Sequence, residues 1–215
     1  MDVSIDYGVP ENDYEKHYQL KEGDLYVEAG AFWGRYGKKA LQKVGPTGRI
    51  LLIEPSPLNM WLLLRNLPKG TPIAILQKAL WSSSGIGWLW MQSDNIAQCV
   101  HWTNHRLAKI SNLDGEAVEV PCNPVKILEG QLVLTDLITL DQIAEELDVD
   151  HIDLLAWDIE GAGHEALKGA ERLLLQGRIK NFAIDCSHPG EEQCATLLKS
   201  NGYKILEDGL VYAKR

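Results

Sequence analysis

Three observations predict an α/β fold with a doubly wound, mostly parallel Rossmann-like sheet. Short apolar runs alternate with helical patterns, a glycine turn opens a helix after the first run, and an Asp-Gly pair separates the last two runs. Residues 24–29 (DLYVEA) read as the first strand, and residues 35–44 as a helix stopped by Gly45-Pro46. Residues 49–54 (RILLIE) are continuously apolar until the final acid, as a strand buried on both faces must be. A helix over 58–67 ends at Pro68, and 73–77 is a third strand. Thr139 caps a helix over 139–147, and 152–157 (IDLLAW) is a strand. One helix over 164–175 ends near Gly177, strand 181–185 follows, and then a helix over 191–200. Strands 203–206 and 210–213 flank Glu207-Asp208-Gly209 and form a C-terminal antiparallel hairpin. Residues 81–136 break the alternation. They read as an excursion of strand or loop laid over the sheet on the acceptor side, because the segment is too short for a core of its own. The whole chain, with residues 1–22 as an N-terminal extension, reads as a single domain.

Composition excludes several classes. With 215 residues, 45% hydrophobic and 24% charged, the chain is long enough to bury a full core and too apolar to be disordered. A net charge of −9 argues against nucleic acid or an anionic membrane as partner. No apolar run approaches the ~18 residues that span a bilayer. Residues 1–13 are polar and acidic, unlike a signal or transit peptide. Cys99, Cys122, Cys186 and Cys194 form no C-x-x-C pair and read as reduced thiols in a cytoplasmic protein. Oligomeric state is not legible.

The first strand ends Glu28-Ala29-Gly30-Ala31-Phe32-Trp33-Gly34. Gly30 permits a turn that a Cβ would obstruct, and Gly34 lets backbone approach a ligand. Glu54 follows Gly34 by twenty residues at the end of the second strand, where a carboxylate can accept ribose hydroxyls. The plainer reading is a strand–helix turn with a solvated acid; the spacing and context favour a nucleoside ligand. A G-x-x-x-x-G-K-[ST] loop, a G-x-G-x-x-G loop and a Tyr-x-x-x-Lys dyad are all missing. S-adenosyl-L-methionine suits the rest, since it carries a ribose, no phosphate and a positive sulfonium for Glu28 and the Phe32 or Trp33 ring.

These residues resemble the FkbM family of S-adenosylmethionine-dependent methyltransferases. Glu28, Gly30, Ala31 and Gly34 match its first motif, Glu54-Pro55-Ser56-Pro57 its acid-Pro-x-Pro, and Ala79-Leu80 its middle motif. Thr139-Leu140-Asp141, Asp158-Ile159-Glu160-Gly161-Ala162 and Leu167-Lys168-Gly169-Ala170 match its narrower C-terminal motifs. The resemblance spans residues 25–209. It implies a class I methyltransferase fold, O-methylation, and a cofactor site of Glu28, Gly30, Ala31, Gly34, Glu54, Pro55, Ala79, Leu80 and Asp158. The chain departs from the family at Ala156, where Lys is usual, and at Gly163, where Glu is usual. The family's acid-x-His after the next strand becomes Asp185-Cys186-Ser187-His188.

Asp158, Glu160 and His188 leave strand ends on the rim where open parallel sheets bind ligands, and they are the candidate catalytic groups. Asp158 beside His188 would orient a ring that takes the acceptor's proton. The alternative is one Mg²⁺ gathered by Asp158, Glu160 and Asp185; the metal-free arrangement is favoured because no tight ligand spacing is present. Trp88 and Trp90 share a face. Core burial is the simpler account of that face, and a platform for a sugar ring the other. The expected function is methyl transfer to a hydroxyl of a small or sugar-containing acceptor. A non-catalytic nucleoside-binding module and an NAD-dependent oxidoreductase with a degenerate glycine loop stay open as alternatives.

Overall fold

The computed structural model describes residues 14–68, 72–93, 103–108, 130–188, 191–207 and 210–215. The chain begins with β1 (Leu25–Ala29), α1 (Arg35–Val44), β2 (Arg49–Ile53), α2 (Pro57–Asn66) and β3 (Ile73–Leu76). Then come β4 (Ala79–Leu80), β5 (Gly85–Ser93), β6 (Thr103–Ala108) and β7 (Gly130–Ile138). The remainder is α3 (Leu140–Glu146), β8 (Leu154–Trp157), α4 (Gly163–Lys168), α5 (Glu171–Gln176), β9 (Asn181–Asp185), α6 (Cys194–Ser200), β10 (Lys204–Glu207) and β11 (Leu210–Lys214).

The main sheet has the order β10-β11-β9-β8-β1-β2-β3. Strands β3, β2, β1, β8 and β9 run parallel, and β11 inserts antiparallel between β9 and β10. The expected α/β architecture and the C-terminal hairpin are therefore present. The apolar runs follow from burial on both faces. Val27, Leu51 and Leu155 face a core shared with α3 to α6, while Tyr26, Ile50, Leu52 and Leu154 face α1 and α2. Strand order reverses between β1 and β8, which makes their C-terminal ends the switch point where such sheets take ligands.

Residues 14–22 of the N-terminal extension are tied to this core. Tyr14 and Leu20 are buried, and the Glu15 carboxylate accepts hydrogen bonds from Tyr36 Oη and Lys43 Nζ on α1.

One expectation changes and another gains detail. The single helix over 164–175 is two helices. The first ends at Gly169, where a Cβ would lie 2.1 Å from the Trp81 carbonyl oxygen, so only glycine fits between the two helices. Asp141 then starts α5 by accepting the Arg172 and Leu173 N–H groups at 2.8 and 2.9 Å. The described part of the excursion, second, takes the strand form, and with β4 it makes a four-stranded sheet of order β4-β7-β5-β6. Along β5, Leu89 is fully buried, whereas Trp88 is only half-buried and pairs with exposed Leu134. Trp88 thus shares the face of exposed Ile86 and Leu134, opposite Leu89. Its burial as a core residue is only partial. His101 and Trp102, and the side chains of Trp90 and His105, lie outside the described residues. No helix among those described is long and apolar enough to cross a membrane.

Candidate active site

The site is built where the turns after β1, β2 and β8 converge. Gly30 and Ala31 donate their N–H groups to the Ile53 carbonyl, which ties the first turn to the end of β2. Gly30 has φ 73°, and a Cβ there would stand 2.0 Å from the Asp158 carbonyl oxygen. The turn therefore needs a glycine for its dihedral and for its approach to β8. Phe32 also takes a positive φ of 51°. Gly34, at φ 76°, is the N-cap of α1.

Glu54 is 0% exposed and holds this turn in place. Its Oε2 accepts the Phe32 N–H at 2.9 Å, and its Oε1 accepts Ser56 N–H at 2.9 Å and Asn59 Nδ2 at 3.3 Å. The residue expected to grip a ribose is thus engaged by backbone of both turns. Glu28 points under α1 and is 4% exposed. Burial pushes its carboxyl up to about 8, and the charge of Glu54 adds to the shift against the opposing pull of the Gly37 N–H. Its Oε2 has no hydrogen-bond partner among the described residues.

A shallow pocket opens at the switch point. Gly30, Pro55, Ala79 and Leu80 line it, as do the apolar ends Ala29 and Ile53. Glu28, Ala31, Gly34, Glu54 and Asp158 do not reach its wall. Six lining residues were not among the expected site residues: Ala29, Ile53, Lys78, Leu89, Ile159 and Ala162, of which Ala29, Ile159 and Ala162 stand inside the motifs. Lys78 carries the one charge in the lining and pairs with Asp136 at 3.7 Å. Its signal was its place directly before Ala79-Leu80. Leu89 carried no signal, because only the folding of the second sheet over the first brings it there.

The rim beside this pocket gathers Asp158, Glu160 and His188. His188 Nε2 lies 3.6 Å from Glu160 Oε2 and 4.0 Å from Asp158 Oδ1. One ligand atom from each of the three falls within 4.8 Å of the others. Glu160 and Gly161, at φ 52° and 95°, bend the chain sharply after β8. Asp185, expected near this group, instead accepts its own loop's Ser187 N–H at 2.9 Å. Glu191 was not anticipated. It is 1% exposed, its N–H donates to the His188 carbonyl at 3.1 Å, and its Oε1 accepts the Gly163 N–H. Burial raises its pKa, opposed by the Gly163 N–H and by neighbouring His188.

A model of the methyltransferase FkbM domain matches residues 23–205. A crystal structure of methyltransferase FkbM from Methylobacillus flagellatus KT superposes with a TM-score of 0.59 at 16% identity, covering 93% of this chain and 45% of that one. The chain therefore spans under half the length of that relative. Aeropyrum pernix fibrillarin with natively bound S-adenosyl-L-methionine gives 0.47 at 15% identity, covering 90% and 67%. A SAM-dependent methyltransferase from Aquifex aeolicus gives 0.46 at 16%, covering 94% and 88%. No curated protein sequence matches. The chain belongs to the FkbM methyltransferase domain family.

Proposed function

We propose that this chain moves a methyl group from S-adenosyl-L-methionine to a hydroxyl oxygen of a small or sugar-containing acceptor. The observation that carries the reading is one rim with two parts: an apolar pocket at the switch point, and the cluster of Asp158, Glu160 and His188 beside it. The pocket suits the donor. Ile53, Pro55, Ala79 and Leu80 offer flat apolar surface for an adenine ring, and the rim carboxylates complement a positive sulfur. Glu54 would reach a ribose only through lone pairs its turn leaves unused, so its first role is to shape the wall.

The donor supplies an electrophilic methyl carbon on a sulfur that departs with the electrons of the broken bond. Gly30 and Pro55, which line the pocket, would bound the donor there, and most of the rate would come from holding the acceptor oxygen in line with the methyl carbon. Removal of the hydroxyl proton falls to the cluster of Asp158, Glu160 and His188. Calorimetric titration with S-adenosylmethionine, S-adenosylhomocysteine and NAD tests the donor. Binding of the first two and not of NAD is expected; NAD binding alone would make the chain an oxidoreductase. Transfer of labelled methyl to a panel of sugars, polyketides and nucleosides tests the reaction. Donor binding without transfer to any acceptor would favour a non-catalytic module.

A further inference from the structure

We propose that Asp158, Glu160 and His188 bind a divalent transition cation of the Mn²⁺ type at the mouth of the donor pocket. The inference rests on the proposed methyl transfer only for the place of the acceptor. The three residues come from two separate loops, after β8 and after β9, yet each offers a ligand atom within 4.8 Å of the other two. His188 Nε2 is turned towards both carboxylates, at 3.6 and 4.0 Å, which is beyond hydrogen-bond reach of either. An ion between the three atoms needs only small inward rotations to reach ligand distances.

Charge supplies the second argument. The two carboxylates share the rim with a third, Glu191, which is 1% exposed and interacts electrostatically with His188. One Glu191 oxygen is occupied by the Gly163 N–H, and the other is buried with no hydrogen-bond partner among the described residues. Even a protonated His188 leaves this group of acids with a surplus of negative charge, and a dication removes it. The nearest basic side chain in the pocket lining, Lys78, is already paired with Asp136.

The donor set selects the ion. One imidazole nitrogen with two carboxylate oxygens suits a first-row divalent metal, whereas Mg²⁺ and Ca²⁺ prefer oxygen alone. Three protein ligands leave coordination positions open for an acceptor hydroxyl; with the ion bound, the cluster would act on that hydroxyl through the metal instead of as a direct base, and its proton would be lost more easily to water. The set differs from the less favoured alternative read from sequence, with His188 in place of Asp185, whose Oδ1 accepts the Ser187 N–H.

The test is titration of the purified chain with Mn²⁺, by calorimetry and by loss of free Mn²⁺ signal in electron paramagnetic resonance, without donor or acceptor. Saturable binding at a single site is expected. Glu160→Gln and His188→Asn should each weaken it by about tenfold or more while leaving the melting curve and circular dichroism unchanged. Absence of saturable Mn²⁺ binding up to millimolar concentration overturns the proposal, as does unchanged affinity in both variants. Donor titrations on the same samples separate the two readings. Mn²⁺ binding without donor binding would overturn the methyl-transfer reading and leave the cation site standing; donor binding without Mn²⁺ binding does the reverse.

Discussion

In Gly30→Ala the added Cβ would sit 2.0 Å from the Asp158 carbonyl oxygen and 3.0 Å from its carbonyl carbon. Neither atom can swing aside as a side chain can, because the Asp158 N–H is bonded back to the Ala29 carbonyl at 3.2 Å. The β1 turn and the β8 end must therefore move apart. Two costs add. A non-glycine residue at φ 73° loses about 1–2 kcal/mol. Forcing backbone apart in a packed region costs typically ~1–3 kcal/mol more. The expected total is about 2–5 kcal/mol, a large part of the ~5–15 kcal/mol that holds a domain together. Gly34→Ala is the control. It carries a similar φ of 76°, but its Cβ would meet only Leu63 and Leu67 side-chain carbons at 3.4 Å, so it should lose about 1–2 kcal/mol. Urea unfolding of both variants gives the difference directly, and donor titration gives the functional side. Since Asp158 moves with the turn, Gly30→Ala should weaken both donor and Mn²⁺ binding. Equal stability of the two variants, or a Gly30→Ala protein that binds donor normally, would refute the argument that this contact couples the turn to the rim.

Glu54→Ala should cost stability as well as donor affinity, by about 1–3 kcal/mol, because it leaves the part-buried Phe32 and buried Ser56 N–H groups without their acceptor; a variant with wild-type unfolding and lost donor binding would restore Glu54 to a purely ligand-binding role. Glu28 gives a pH signature. Its carboxyl is raised to about 8 from 4.5, so between those values the native state holds a proton that the unfolded chain has released. Stability should then fall with rising pH by up to about 1.4 kcal/mol per unit through that window, and Glu28→Gln should flatten the slope. Urea midpoints at several pH values from 5 to 8 read it, and an unchanged slope in the variant would show that Glu28 is not its source. On β5, Leu89→Ala should lose about 2–5 kcal/mol and disturb the pocket, whereas Trp88→Ala, on the outer face, should leave donor affinity unchanged. Thermal melts with donor titration separate the two, and lost donor binding in Trp88→Ala would place that face at the site.

Much of the fold was legible because its signals are local. Buried parallel strands announce themselves as unbroken apolar runs such as Ile50–Ile53, and Thr139 and Gly45 mark helix ends by their own chemistry. What stayed hidden depends on contacts distant in sequence. The need for glycine at 169 arises from the Trp81 backbone, and the second sheet exists through the pairing of β5 with β7, whose partners run from Gly85 with Leu137 to Gln92 with Gly130. The site divides in the same way. Gly30, Pro55, Ala79 and Leu80 were readable from a motif and do line the pocket. Glu28 and Glu54 were readable as acids near it, but not as groups turned inward onto α1 and onto the turn. The Thr139-Leu140-Asp141 and Leu167-Lys168-Gly169-Ala170 motifs prove to be one clasp: Asp141 N–H donates to the Gly169 carbonyl while its carboxylate starts α5. A motif can be narrow because a fold needs it, with no chemistry attached.

The two departures from the family pattern acquire causes in the structure. Ala156 stands directly beside Glu28 in the register of β8 with β1, on the face that packs against α1. A lysine there would lie next to the buried carboxyl and share its charge. With alanine in its place Glu28 is left in a desolvated position, and its pKa rises until the proton itself neutralises it. Gly163 follows from Glu191. A Cβ at 163 would lie 2.4 Å from Glu191 Oε1, so any side chain at this position would displace the carboxylate that accepts the Gly163 N–H. The acid usual at 163 is thus exchanged for one delivered from the loop after β9, the same loop that carries His188. Negative charge stays at the start of α4, where unsatisfied N–H groups favour it, but it now reaches His188 from behind. Where the pattern sets a cation beside the acid of β1, this chain keeps a neutral pair, and where it carries an acid on α4, the acid comes from the loop that bears His188.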